Sequence, residues 1–250
     1  TKTLKAGEFS RIIRNNGGYD NAATSFDKTY YYSVLPKQAL ELALKLEADR
    51  MVNLTIDKRE FNSEKKVVLE ELRNRYENDP RGFLFYNFMQ FSYRTSNYGK
   101  PVIGTMNGIK ALTPEIMKQY YKRFYSPNNA HLVVVGDINR EKTLKLIKKY
   151  FGKLKRQRID RPRYIPEPIQ TAERRIVYKK RTQLPMGIIY YHGPKALDRD
   201  SSAMEMIEFI LFDGRSSRLY KKLVMQTGLA VGIYGGQWLQ QHEAPFAIFF

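Results

Sequence analysis

Two glutamates, Glu64 and Glu71, are the residues of this sequence whose type and spacing could do chemistry. The segment around them has helical periodicity, and a separation of seven residues is close to two turns, so both carboxylates project from one face near Val67 and Val68. A carboxylate on an apolar helical face is costly unless it meets a cation, a metal or a strong donor. Two interpretations follow: part of a reactive site, or the solvated face of a charged helix, which the pattern by itself favours.

The histidines do not complete such a site. His131, His192 and His242 lie far apart, and none has a histidine four residues away, the spacing with which a helix presents two imidazoles to one metal. We expect each to be an ordinary strand or loop residue. The absence of cysteine excludes disulfides, thiolate metal sites and cysteine nucleophiles.

Local signals predict the elements that would position these residues. Residues 19–35 combine β-branched and aromatic residues around a turn-like Ser-Phe-Asp-Lys, which predicts a hairpin. Asp57, with Glu60 three residues later, predicts the start of the glutamate-bearing helix, which we expect to end at Asn78-Asp79-Pro80. Further helices are predicted from Pro36, from Thr113, over 140–150 and over 201–212, and further strands over 131–135, 187–192, 229–238 and 247–250.

Length leaves two domain organisations open, one large domain or one domain with part of another, and a predicted linker favours the second. The 250 residues, 42% of them apolar, suffice for a sizeable core and exceed the usual single-domain size. Residues 155–170 are basic, contain three prolines and lack periodicity, which predicts an interdomain linker. A faint repeat, from Ser10-Arg11 to Gly18 and from Ser217-Arg218 to Gly228, supports two related parts. The sequence starts at Thr1 and stops within a strand pattern, so we expect both ends to be cut.

The net charge of +18 could indicate nucleic acid, an acidic membrane or an acidic substrate as a partner. Its densest part, residues 140–163, has eleven Lys and Arg against two acids, in a predicted helix and linker rather than an aromatic-studded strand or a recognition helix. This distribution favours a solvated basic face, and we expect no nucleic-acid partner. No apolar run is long enough to cross a bilayer, so no transmembrane segment is expected.

Residues 61–73, FNSEKKVVLEELR, resemble a segment of the pitrilysin/insulinase family of zinc metallopeptidases, which includes mitochondrial processing peptidase. In that family the segment follows an inverted zinc motif, His-x-x-Glu-His. Further blocks agree in order and spacing over nearly the whole chain, which makes the resemblance strong. They are NAxTS at 21–25 with Thr29 and Tyr31, YGKPVIG at 98–104, YxPNN at 125–129, VVGD at 134–137 and SSRLY at 216–220.

The resemblance implies an α+β fold of tandem homologous domains, each a mostly antiparallel sheet with helices packed on one face. It divides the chain into a zinc-bearing first domain at 1–154, lacking its first strand and motif helix, a linker at 155–172, and the truncated start of a second domain at 173–250. In the family, the two parts enclose a chamber that admits peptides or unfolded polypeptide segments, which are cleaved internally.

The resemblance also implies zinc as the cofactor of the complete protein. In the family, the two motif histidines and a distant glutamate bind the metal, and the motif glutamate is the general base. Glu71 matches the distant ligand, and Glu64 matches the acidic residue two turns earlier, which we expect to orient a ligand. The motif itself is absent here. No catalytic residue is therefore expected in this chain, which by itself should be inactive, although its parent would be a zinc-dependent endopeptidase.

The substrate strand of the family matches Asn21, Ala22, Ala23 and Thr24. There, a peptide adds to a sheet edge beside the zinc, and backbone hydrogen bonds supply affinity while tolerating many sequences. Small side chains such as Ala22 and Ala23 permit that close approach, although they also suit plain strand packing.

A partner subunit is expected from the second half. In many relatives a segment resembling Leu-Arg-Glu-Lys-x-Gly-Leu-Ala-Tyr supplies an Arg and a Tyr that bind substrate and stabilise the developing oxyanion. Residues 223–231 match it with Val224 and Val231, which donate no side-chain hydrogen bond. We therefore expect a heterodimer in which a homologous subunit supplies both groups, in the bacterial periplasm or envelope. The alternative is a catalytically inactive structural or partner homologue, against which the presence of Glu71 argues.

Overall fold

The computed structural model describes residues 1–161 and 163–250, so Pro162 of the predicted linker lies outside the described residues. The described chain forms two compact units. They are Thr1–Leu69 with Met106–Arg163, and Glu70–Thr105 with Tyr164–Phe250. The predicted domains at 1–154, 155–172 and 173–250 concern the tandem architecture of the complete protein and stay a prediction.

The first unit contains one hairpin and most of the helices. Its hairpin is β1 (Tyr19–Thr24) with β2 (Thr29–Val34), paired antiparallel from Tyr19↔Val34 to Thr24↔Thr29. The helices are α1 (Glu8–Asn15), α2 (Leu40–Asn53), α3 (Lys58–Leu72), α5 (Met106–Ala111), α6 (Pro114–Phe124) and α7 (Arg140–Phe151), and the last residues of α3 belong to the second unit. Apolar side chains from several of these helices are buried, among them Ile13, Leu44, Leu46, Ala48 and Ile109.

The predicted hairpin is confirmed, and glycines set its entry. Gly17 has a φ of 76°, the left-handed conformation that glycine adopts without a Cβ penalty. The N–H groups of Gly17 and Gly18 donate to Arg14 O and Ile13 O, which closes the C-terminal end of α1. A Cβ on Gly18 would lie 2.3 Å from Val34 O, so the close approach of β2 also requires glycine there.

The predicted helix starts are confirmed by their caps. Asp57 Oδ1 accepts from the N–H groups of Arg59 (2.8 Å) and Glu60 (3.2 Å) at the start of α3, and Thr113 Oγ1 accepts from Ile116 N–H (3.3 Å) at the start of α6. A π-helical segment, Arg73–Asn78, follows α3 directly. The chain then re-enters a helix that the sequence analysis did not predict, α4 (Pro80–Ser92), where Asp79 Oδ2 accepts from Gly82 N–H at 2.6 Å.

The strand predicted over residues 131–135 is wrong for the described chain. These residues are not part of any sheet, and Val133 and Val135 are 77% and 89% exposed. A run of β-branched residues favours an extended backbone, but a strand needs a neighbouring strand to accept its ladder of hydrogen bonds. No described strand is hydrogen-bonded to this segment in a sheet.

The second unit is built on a three-stranded antiparallel sheet in the order β3–β5–β4. Its strands are β3 (Ile188–Gly193), β4 (Tyr234–Gln237) and β5 (Ala244–Phe249), and its helices are α4 and α8 (Ser201–Leu211). The central strand β5 is buried over 244–248, and Phe246 and Ile248 form a core cluster with Phe212 and Ile233. Helices with antiparallel sheets confirm the predicted α+β class. Within the described part of the chain, no helix combines the length and apolarity needed to cross a membrane.

Candidate functional site

Glu71 lies in the last turn of α3, and its carboxylate faces solvent. Its Oε1 accepts from Arg75 Nη1 at 2.9 Å, an i,i+4 pair in which the two side chains are 48% and 63% exposed. Its neighbour Glu70 pairs instead with Arg73. Exposed ion pairs of this kind contribute little net free energy, so Arg75 does not commit the Glu71 carboxylate to a structural role. The carboxylate is available to a metal brought to it.

Glu64 lies in the middle of α3 and is exposed. The helix is held at this point by the next residue, because Lys65 Nζ donates to Lys110 O (2.5 Å) and Leu112 O (2.8 Å) around the C-terminal end of α5. A cation suits those carbonyls because they carry the negative end of the helix dipole. Nearby Val67 is 57% exposed, so the described surface around Glu64 is open.

The described residues do not form a zinc site by themselves. None of them brings three or more His, Cys, Asp or Glu side chains together. Catalytic zinc takes three protein ligands and keeps a fourth position open. Glu71 has the chemistry of one such ligand, so a complete set of three would need at least one ligand from outside the described residues.

The predicted substrate strand is an available edge. Among the described strands β1 pairs with β2 alone, which leaves the other side of β1 without a strand. Asn21, Ala22 and Thr24 are exposed, and Ala23 is half-buried. The N–H of Ala22 donates to Asn21 Oδ1 at 2.8 Å. Rotation of the exposed Asn21 side chain would free this N–H for a peptide. An unpaired edge with small side chains is a template on which an extended peptide can add.

Contacts that the sequence analysis did not predict anchor this hairpin. The hydroxyls of Tyr31 and Tyr125 are 2.5 Å apart, and the Arg50 guanidinium lies 4.2 Å from the Tyr31 ring centre and 4.7 Å from that of Phe9. Burial raises the pKa of Tyr125, and its hydrogen bond to Tyr31 acts in the same direction. Tyr31 and Tyr125 belong to two of the sequence blocks quoted above. The two residues are 94 positions apart, so no local sequence pattern signals their contact.

In the second unit, the two valines have different environments. Val224 lies in a π-helical segment, Tyr220–Gln226, and packs against the core cluster, whereas Val231 is 81% exposed. The chain continues through Gly228, which has a φ of 60°, to β4 and its antiparallel partner β5. The path of helix, left-handed glycine and strand resembles that from α1 through Gly17 to β1. Neither valine presents a hydrogen-bond donor from its side chain.

His192 and His242 contact tyrosine side chains. His192 lies in β3, where its Nδ1 is 2.8 Å from the Tyr190 hydroxyl and burial lowers its pKa. The His242 ring stacks on Tyr164 with centroids 3.6 Å apart, and its backbone N–H donates to the Tyr98 hydroxyl. His131 is exposed. These contacts give His192 and His242 ordinary packing and hydrogen-bonding partners.

Comparison with known proteins decides the family. Residues 1–106 match the family model described as "Insulinase (Peptidase family M16)", and residues 111–250 match that described as "Peptidase M16 inactive domain". The chain belongs to the insulinase family of peptidases. This confirms the family resemblance carried by residues 61–73 and by the other sequence blocks.

The chain is similar to part of the length of individual members of the family. It is 36% identical over 250 residues to zinc protease PqqE of Helicobacter pylori, covering 98% of this chain and 56% of that protein. The crystal structure of a protease from Helicobacter pylori matches with a TM-score of 0.94 at 35% identity, over all of this chain and 61% of that one. The first half of the periplasmic protease PqqL of Escherichia coli matches with a TM-score of 0.73 at 25% identity, over 100% of this chain and 55% of that one.

Family membership leaves the individual residues to be tested. The chain spans 56% of the length of the H. pylori relative, so a whole-protein activity cannot be assigned to it directly. Glu64 and Glu71 lie on the predicted helix and Asn21, Ala22, Ala23 and Thr24 on the predicted strand. Their roles in zinc and substrate binding stay predictions.

Proposed function

We propose that this chain is part of a zinc-dependent endopeptidase that cleaves peptides or unfolded polypeptide segments. The observation that carries the proposal is the exposed carboxylate of Glu71, at the position matching the family's distant zinc ligand, in a chain similar to a protein named as a zinc protease. The chain by itself supplies neither the other ligands nor the general base. It is therefore inactive until the remaining residues of the site are present.

The roles within the complete protein follow from the chemistry of each residue. Zinc would supply a Lewis acid for the scissile carbonyl and lower the pKa of the attacking water. Glu71 would bind the metal, and Glu64, two turns earlier, would orient a ligand by hydrogen bonding. The free edge of β1 would hold the substrate backbone extended, which fixes the peptide without selecting its side chains strongly.

The ligand assignment is tested on the complete protein with its upstream motif. Glu71→Gln removes the anionic oxygen that a zinc ligand requires, so the purified variant should lose most of its zinc, measured by elemental analysis after dialysis. Glu70→Gln is the matched control, because Glu70 is also an exposed glutamate on the same helix and pairs with Arg73. Retention of zinc by the Glu71 variant, or loss confined to the Glu70 variant, would overturn the assignment.

The substrate strand is tested by removing one backbone donor. Ala22→Pro removes the backbone N–H that now donates to Asn21 Oδ1. Proline is tolerated on a strand edge, so the fold should survive. We expect the affinity for a non-cleaved peptide to fall about tenfold, the equivalent of one or two lost hydrogen bonds. Ala22→Ser keeps the N–H and the small side chain and should bind normally. Unchanged affinity in a folded Ala22→Pro variant would show that the peptide binds elsewhere.

A second candidate is a catalytically inactive homologue that acts through assembly. It is favoured by the match of residues 111–250 to a model described as an inactive domain and by the two valines at 224 and 231. The sequence upstream of Thr1 in the complete protein distinguishes the two candidates. An intact His-x-x-Glu-His supports the peptidase, and a degraded motif supports the inactive homologue.

The compartment proposed for the complete protein is the bacterial periplasm or envelope. The support is the similarity to an Escherichia coli protein whose structure is described as that of a periplasmic protease. Cell fractionation of the source organism, with an antibody raised against this chain, would locate the protein.

A further inference from the structure

A strongly basic surface covers part of the first unit. Helix α7 contributes four lysines, and the segment that follows it contributes six more cations. All ten side chains are exposed: Lys142, Lys145, Lys148, Lys149, Lys153, Lys155, Arg156, Arg158, Arg161 and Arg163. We call these ten residues the basic surface.

The four lysines of α7 share one side of the helix. At 100° per residue they fall within an arc about 120° wide, opposite the side on which Thr143 and Ile147 pack. Glu141 is the one acid in that arc. The arc is therefore a row of ammonium groups directed away from the packed side of the helix.

The segment after α7 is hydrogen-bonded to residues 123–129 of the first unit. Asn128 and Gln157 exchange two hydrogen bonds, with Asn128 Nδ2 donating to Gln157 O (2.9 Å) and Gln157 N donating to Asn128 Oδ1 (3.0 Å). Arg123 Nη2 donates to Asp160 O (2.5 Å), and Arg161 Nη2 donates to Asn129 Oδ1 (2.7 Å). The cations of residues 153–161 are thus held in place beside the end of α6.

Few acids neutralise this surface. Among the described residues, its ion pairs are Lys149 with Glu41 and Arg158 with Asp160. Lys142, Lys145 and Lys148 have no carboxylate within ion-pair distance in the described chain. Cations spaced within a Debye length of about 10 Å at 0.1 M salt act together on a nearby anionic surface.

The composition of the basic surface points to one class of partner. The two described aromatic residues at 140–155, Tyr150 and Phe151, are half-buried, so this stretch presents no exposed ring to stack on bases as single-strand nucleic-acid sites require. Lysine dominates the α7 row, and lysine is depleted from protein–protein interfaces. An anionic lipid surface needs neither stacking nor shape complementarity, only a cluster of exposed point charges.

We infer that the basic surface holds the protein reversibly against membranes rich in anionic phospholipid. The attraction is electrostatic, and no helix inserts. Each cation near the surface contributes, so the loss of several should weaken binding in steps, and salt should abolish it.

The test is sedimentation of the purified protein with vesicles of phosphatidylcholine alone or with about one third phosphatidylglycerol, at low salt and at about 0.5 M salt. The triple variant Lys142→Glu, Lys145→Glu, Lys148→Glu reverses the α7 row. Its matched control, Lys179→Glu, Lys221→Glu, Lys222→Glu, makes the same change in net charge at exposed lysines of the second unit. Circular dichroism verifies that both variants are folded.

Binding is expected only to the anionic vesicles at low salt, with at least about a tenfold loss in the α7 variant and less than about twofold in the control. Equal losses in the two variants would show that net charge alone is responsible and would overturn the inference. So would an absence of binding to anionic vesicles, whether or not the protein then binds single-stranded DNA or polyglutamate.

Discussion

At the scale of single residues, burial shifts the pKa of a tyrosine in an aromatic cluster of the second unit. Tyr93 is 6% exposed, and its ring contacts those of Tyr98, Tyr190 and His192. Burial, together with the neighbouring Tyr190, raises the pKa of Tyr93 well above its ordinary value. The neutral hydroxyl is therefore the form that the folded protein keeps.

This shift predicts a pH dependence of stability. A folded-state pKa above the unfolded value of about 10 means that the stabilising contribution is complete below pH 10 and lost as the pH rises further. The free energy of unfolding, measured by urea denaturation, should fall by up to about 1.4 kcal/mol per pH unit for each such tyrosine. Tyr93→Phe should flatten this fall, whereas Tyr30→Phe, at a 49% exposed position, should leave it unchanged. Equal slopes in all three proteins would contradict the assignment.

At the scale of elements, a side-chain cap marks the start of α4. Helix α4 starts at Pro80, whose missing N–H costs nothing in the first turn, and Asp79 satisfies the N–H of Gly82. The preceding π-helical segment ends directly before this cap, so the junction between the two helical segments depends on it.

The cap predicts a matched pair of variants. Asp79→Ala leaves the Gly82 N–H without its side-chain acceptor and should lower the free energy of unfolding by about 1 kcal/mol. Asp79→Asn retains an acceptor oxygen and should restore most of that loss. Chemical denaturation of the three proteins measures both changes. If the alanine and asparagine variants were equally destabilised, the charge of Asp79 and not its capping bond would be responsible.

At the scale of the whole molecule, the sequence analysis predicts that Val224 and Val231 stand where many relatives carry an Arg and a Tyr. Val224 packs in the core of the second unit and Val231 is exposed, and neither can stabilise an oxyanion. A homologous subunit with Arg and Tyr at those positions would complete the site.

The heterodimer expected from the sequence predicts that the complete protein is inactive, or only weakly active, when purified alone. Addition of a homologue encoded nearby should raise the rate of peptide cleavage by about a hundredfold or more, the usual effect of an oxyanion donor. Replacing the Arg of that homologue should abolish the gain without reducing zinc content. Full activity of the zinc subunit alone would rule out the heterodimer.

The sequence by itself determined the features that depend on near neighbours in the chain. The hairpin follows from its β-branched and aromatic residues and from Gly17 and Gly18, and the starts of α3 and α6 follow from Asp57 and Thr113. These signals act over a few residues, because caps, turns and left-handed glycines satisfy backbone groups locally. The order of the sequence blocks predicted the family, which the family models confirm.

Only the tertiary structure decided what depends on partners distant in the chain. Residues 131–135 have the composition of a strand, yet without a neighbouring described strand they remain unpaired. No local pattern relates Tyr31 to Tyr125 or Asn128 to Gln157, although each pair is joined by a hydrogen bond. Hydrogen-bond ladders and side-chain contacts need a second segment brought into position, and the free energy that brings it there comes from burial across the whole unit.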